Sequence, residues 1–205
     1  MTTATRHGPR ALWVGLLAAI AVVSVACAPQ FRAADTKVLL VGDSLLDRSR
    51  LPVSDALTEA GWDPRIKADG GRSITFFQDK VPLFAGSTQP GVMVIELGTN
   101  DCSPVLCVPL GPAIDQIMGS VPSDYPVLWL NAQTDVPAPF NENRDFVNGE
   151  LEDADSRWPN LYLVDLDGHF AGHPEWHEDD GLHFNEEGRH EFARFLVDEL
   201  DRFKP

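Results

Sequence analysis

Five short apolar runs constrain this chain more than any other feature. They are 37–41, ending at Gly42, then 64–68, 92–97, 127–130 and 161–166. Runs that are apolar on both faces suit the interior of a parallel sheet covered on each side. Segments with helical spacing lie between and after them: 53–60, introduced by Pro52 and stopped by Gly61, then 73–84, 109–119, 141–157 and 187–203. In the last of these Phe192, Phe195, Leu196, Glu199 and Leu200 recur at steps of three and four, the period of a helix with one buried face. Regular β-α alternation predicts a doubly wound α/β domain, a three-layer α/β/α sandwich around a five-stranded parallel sheet. Ligands of such sheets bind at the carboxyl ends of the strands.

The N-terminus is set apart from this pattern. Arg6 and Arg10 precede an uncharged run, 11–28, and no acid occurs before it. A basic head, an apolar stretch and small residues read as an export signal, with the following domain outside the cytoplasm. Three fates stay open: lipidation at Cys27 as in a lipoprotein, cleavage at Ala26-Cys27-Ala28, or retention as a membrane anchor. Residues 29–36 read as a tether and 37–205 as the domain. Two further cysteines, Cys102 and Cys107, are expected to form a disulfide in an exported domain, with buried free thiols as the alternative. The net charge of −15 argues against nucleic acid and anionic lipid surfaces as partners. Any membrane contact is expected through the N-terminal segment alone.

Polar motifs follow the apolar runs. Gly42-Asp43-Ser44-Leu45 follows the first, where Gly42 permits a sharp turn and Ser44 presents a hydroxyl and a backbone N–H. Gly70-Gly71-Arg72 follows the second, and Gly98-Thr99-Asn100-Asp101 the third. An Asn amide or a glycine N–H there can donate to a developing oxyanion. Asp180-Gly181-Leu182-His183 precedes the last helix, so that one loop carries both a base and a carboxylate to orient it. Each motif alone is also an ordinary turn sequence. Their conjunction supplies a nucleophile, two oxyanion donors and an acid–base pair in order.

These four blocks resemble the SGNH/GDSL hydrolase superfamily over residues 37 to about 203. The resemblance implies a flavodoxin-like fold and an acyl-ester hydrolase without cofactor or metal. It implies Ser44 as nucleophile, His183 as base, Asp180 as its partner, and Ser44, Gly71 and Asn100 as the oxyanion hole. Asp69 to Arg72, Gly98 to Asn100, Trp129 to Asn131 and the segment from His173 through Gly188 further resemble the extracytoplasmic SGNH domains of peptidoglycan O-acetyltransferases. The sequence departs from the full-length transferases in lacking their multi-pass membrane domain. The expected substrate is therefore a small ester or an acetylated glycan, with transfer to a cell-wall glycan as one alternative and non-catalytic glycan binding as another.

Arg72, Asn131, Trp176 and His177 are candidates for substrate contact, as is Trp129 at a strand end. His169, His173 and His177 share a spacing of four, but Gly168, Gly172 and Pro174 break any helix that would gather them on one face, so no metal site is expected. Asp43, Asp101 and Asp179 read as residues that shape loops.

Overall fold

The computed structural model describes residues 30–103, 106–107, 109–133, 136–137 and 144–205, with only the backbone described at 102–103 and 106–107. The segment 11–28 and Cys27 lie outside the described residues.

Five parallel strands form the central sheet: β1 (Lys37–Gly42), β2 (Asp63–Ala68), β3 (Val92–Glu96), β6 (Val127–Leu130) and β7 (Leu161–Val164), in the order β2-β1-β3-β6-β7. A two-stranded hairpin, β4 (Cys102–Ser103) and β5 (Leu106–Cys107), follows β3. Successive residues of a strand face opposite ways, and the core divides accordingly. Val38, Leu40, Val92, Val94, Leu128 and Leu130 pack on one face, against Val53 and Leu57 of α2 (Arg50–Glu59) and Phe192 and Leu196 of α8 (Glu186–Asp201). Leu39, Val41, Met93, Ile95 and Val127 pack on the other, against Ile114 of α5 (Gly111–Met118) and Leu151 of α6 (Arg144–Arg157). The three-layer parallel sandwich thus matches the alternation in the sequence.

The differences are local. β2 is an edge strand with Arg65 and Lys67 exposed, because only one neighbour covers it. The predicted helix 73–84 is two helices, α3 (Ile74–Phe77) and α4 (Lys80–Thr88). An unpredicted helix, α7 (Leu166–Phe170), follows β7, capped by Asp165, whose side chain accepts from the Gly168 N–H. A 3-10 turn at Pro174–Trp176 comes next, so the histidines at 169, 173 and 177 share no helix. Cys102 and Cys107 stand directly opposite in the hairpin ladder, but their side chains lie outside the described residues.

Strand order reverses between β1 and β3. The chain leaves β1 toward β2 on one side and returns to build β3, β6 and β7 on the other. The polar motifs after β1 and β3 therefore meet at this crevice.

Candidate active site

β1 ends at Gly42, and Asp43 caps the five-residue helix α1 (Ser44–Arg48), its Oδ1 accepting from the Leu45 N–H at 3.1 Å. Ser44 is the first residue of α1. At that position a backbone N–H has no intrahelical acceptor, and the side chain stands at the sheet edge. The Ser44 Oγ lies 3.0 Å from the Nε2 of His183. His183 Nδ1 lies 2.6 Å from Asp180 Oδ2. The other Asp180 oxygen accepts from the N–H groups of Leu182 and His183, each at 2.9 Å. Desolvation opposes ionisation of Asp180. The hydrogen bond from His183 and the two backbone N–H groups outweigh it and bring the carboxyl down to about 2. Gly181 takes a left-handed φ of 67° in this loop, and a Cβ there would strike Pro137 at 2.7 Å. The loop is tied to α1 by Glu178, which pairs with Arg48 at 2.8 Å and also with Arg189 of α8.

Across the cleft, Asn100 Nδ2 donates to Asp43 Oδ2 at 2.8 Å and to the carbonyl of Arg72 at 3.2 Å. Gly71 has a left-handed φ of 73°. Ser44, Arg48, Gly70, Gly71, Asn100 and His183 help to line a cleft of about 370 Å³. Asp101 braces it from behind, both of its oxygens accepting from the Ile74 N–H at 2.9 Å. Burial, above all, raises the Asp101 carboxyl to about 6.

No family model and no curated protein matches the sequence. Solved structures do match in shape. A family 3 carbohydrate esterase of Clostridium thermocellum aligns with a TM-score of 0.65 at 19% identity, over 83% of this chain and 100% of that one. The C-terminal catalytic domain of peptidoglycan O-acetyltransferase A from Streptococcus pneumoniae, carrying a methylsulfonyl adduct, aligns with a TM-score of 0.63 at 17% identity, over 82% and 92%. A lipase/acylhydrolase of Enterococcus faecalis gives 0.69 at 18%, over 82% and 97%. The chain has the SGNH/GDSL hydrolase fold.

Within this SGNH fold the remaining candidates are not among the residues lining this cleft. Arg72 contributes its carbonyl, but its guanidinium pairs with Asp69 at 3.0 Å and lies over the Phe76 ring. Asn131 bridges Asp165 and the Asp167 N–H, bracing the turn into α7. Trp129 is fully buried and donates to the Leu97 carbonyl at 3.1 Å. Trp176 stacks on His173 with ring centroids 3.8 Å apart. His177 contacts the His173 carbonyl and Gln133 and faces a neighbouring cavity beyond Gly181. In each case a nearby polar or aromatic partner engages the side chain that the sequence reading offered for substrate contact. Among the described residues, Glu178, Asp180 and His183 also have donor atoms within 4.8 Å of one another, a spacing that metal ligands adopt. Here Glu178 engages two arginines, and the other two engage each other.

Two buried charged residues near Ser44 escaped the sequence reading. Glu96 ends β3 and Arg144 begins α6, each 3% exposed. For Glu96 a signal was present, a carboxylate closing the otherwise apolar run Val-Met-Val-Ile-Glu. Arg144 lies in a polar stretch and gave none.

Proposed function

We propose that this protein is an exported serine acyl-ester hydrolase acting on a small ester such as an O-acetylated carbohydrate. The observation that carries the reading is the unbroken line from Ser44 through His183 to Asp180 at the rim of a cleft.

In this reading His183 Nε2 takes the hydroxyl proton as Ser44 Oγ attacks the ester carbonyl. Asp180 accepts from Nδ1–H, holding the ring in the tautomer that leaves Nε2 free to accept, and it stabilises the imidazolium that forms. The tetrahedral oxyanion takes hydrogen bonds from the N–H groups of Ser44 and Gly71 and from the Asn100 amide. Asn100 can supply one, since its bond to the Arg72 carbonyl is the longer of its two and the oxyanion is the stronger acceptor. His183 then protonates the departing alcohol, leaving an acyl-Ser44 enzyme. Water, deprotonated by His183, resolves the ester and releases the acid. A cleft of about 370 Å³ suits a short acyl group with part of its alcohol better than a long chain. The uncharged run behind Arg6 and Arg10 supports export.

A second reading differs only in the final acceptor, a glycan hydroxyl in place of water. The likeness to the pneumococcal O-acetyltransferase domain favours keeping it.

Hydrolysis of p-nitrophenyl acetate by the purified wild type and Ser44→Ala, with both folds verified by circular dichroism, tests the mechanism. The expected loss in Ser44→Ala is at least about 10⁴-fold in kcat. Equal rates in both proteins would sink it. Absence of turnover in both, together with no phosphonate labelling of Ser44, would favour a binding protein on the same fold. Adding a chitooligosaccharide acceptor separates the two readings: acetylated sugar by mass spectrometry means transfer, and acetate alone means hydrolysis.

A further inference from the structure

The buried strand β3 ends in an acid that the proposed mechanism does not use. Glu96 Oε2 accepts from the N–H groups of Asp43 at 3.2 Å and Leu46 at 3.3 Å. It therefore pins the turn that presents Ser44. A Cβ on Gly42 would lie 2.9 Å from this oxygen and 2.7 Å from Leu46. The glycine of the Gly-Asp-Ser turn is thus required by close approach of Glu96 and Leu46 and not by a left-handed φ.

Asp43 is fully buried beside it, the two carboxyls in hydrogen-bonding contact. Two carboxylates cannot both stay ionised at that distance in a dry site. The donors decide which keeps the proton. Asp43 accepts from Leu45 N–H on one oxygen and from Asn100 Nδ2 on the other. Glu96 receives its two longer bonds on Oε2, which leaves Oε1 to carry a proton. Arg144 and His183 add positive potential at Asp43 when charged, and Arg144 also faces Glu96. Burial raises both groups, Asp43 to about 6, while Glu96 is raised well above the usual carboxylate range by burial and by the charge of Asp43. The donor pattern and the larger rise at Glu96 favour Asp43 as the ion and Glu96 as the acid at neutral pH.

We infer that Glu96 is a positioning residue: its neutral carboxyl donates to Asp43, and the Asp43 carboxylate so held aims the Asn100 amide into the cleft. The consequence for turnover rests on the esterase reading, in which Asn100 serves the oxyanion. The location of the proton does not.

Glu96→Leu, Glu96→Gln and Asp43→Asn in the full chain test it. Glu96→Leu removes the hydrogen bond to Asp43, with an expected fall of about 10²-fold in kcat for p-nitrophenyl acetate and little change in KM. The Gln side chain offers an N–H to Asp43 and an oxygen to the two backbone groups, so Glu96→Gln should restore kcat to within about threefold of wild type. Asp43→Asn, which removes the anion, should not.

Stability supplies a readout independent of activity. The folded-state pKa of Glu96 lies above its unfolded value, so its contribution to stability is complete below that unfolded value. The contribution is lost as pH rises toward the folded one. Gln cannot lose a proton, so the melting temperature of Glu96→Gln relative to wild type should climb from pH 5 to pH 8. A difference that is flat or falls with pH, or a Gln variant as slow as the Leu variant, would overturn the inference. If wild type hydrolyses no ester, the esterase reading fails, and the melting curves still report whether the Glu96–Asp43 pair holds a proton at neutral pH.

Discussion

Two aspartates flank Ser44, and the fold treats them in opposite ways. Asp180 stands at the rim with its side chain 37% exposed; desolvation, its largest single influence, is outweighed by three hydrogen bonds together, and the carboxyl is lowered to about 2. Asp43 lies behind Ser44 with no exposed surface and is raised to about 6, burial outweighing the donors that reach it. The same functional group, hydrogen-bonded in both places, ends at opposite sides of its ordinary value because the cost of removing water differs. Asp180 is thus an anion at every pH where an imidazole base works, fit to steady one. Asp43 ionises less readily, because burial raises it, and it serves an amide whose orientation, not charge, is needed.

The largest way to break this contrast is at the rim. Asp180→Asn keeps the shape but presents an amide to His183 Nδ1, favouring the wrong tautomer, and kcat should fall by about 10⁴-fold. Retention of a tenth of the wild-type rate would mean that Asp180 does not steady the base. A smaller effect is expected across the cleft. Asn100→Ala deletes the amide proposed to serve the oxyanion, and kcat should drop by roughly 10²–10³-fold with KM nearly unchanged. A rise in KM at constant kcat would instead make Asn100 a ground-state contact.

The smallest effect concerns Asp101, which shares the buried environment of Asp43 and is likewise raised to about 6. Its folded pKa exceeds the unfolded one, so its stabilising contribution is full below about pH 4 and gone once pH passes its folded value. Asp101→Asn does not titrate, and its stability relative to wild type should rise by about 2 kcal/mol between pH 4 and pH 8. Urea unfolding at the two pH values measures this. A constant offset would place Asp101 with the rim carboxylate and not with the buried one.

The contrast also marks how far the sequence could be read. Asp180 and His183 were legible because they are three residues apart in one loop, where local geometry alone brings a carboxylate to an imidazole. Ser44 and Asn100 were legible because each follows an apolar strand. Glu96 was visible only as an acid closing an apolar run, with nothing nearby in sequence to say what it faced. The split of 73–84 into two helices, the short helix after β7 and the capture of Arg72, Asn131, Trp176 and His177 by other partners were not legible.

The sequence by itself determined the layers, the parallel sheet and the placing of polar motifs at strand ends. Those follow from unbroken apolar runs and a period of 3.6 residues, both of which near neighbours encode. Only the tertiary structure decided which carboxylate is wet and which is dry. Desolvation depends on what covers a side chain. That covering comes from partners 53 residues away for Glu96 and Asp43, 57 for Asp43 and Asn100, and 139 for Ser44 and His183. They meet because the strand order reverses between β1 and β3, a fact of topology that the residues on either side of the crevice do not carry individually.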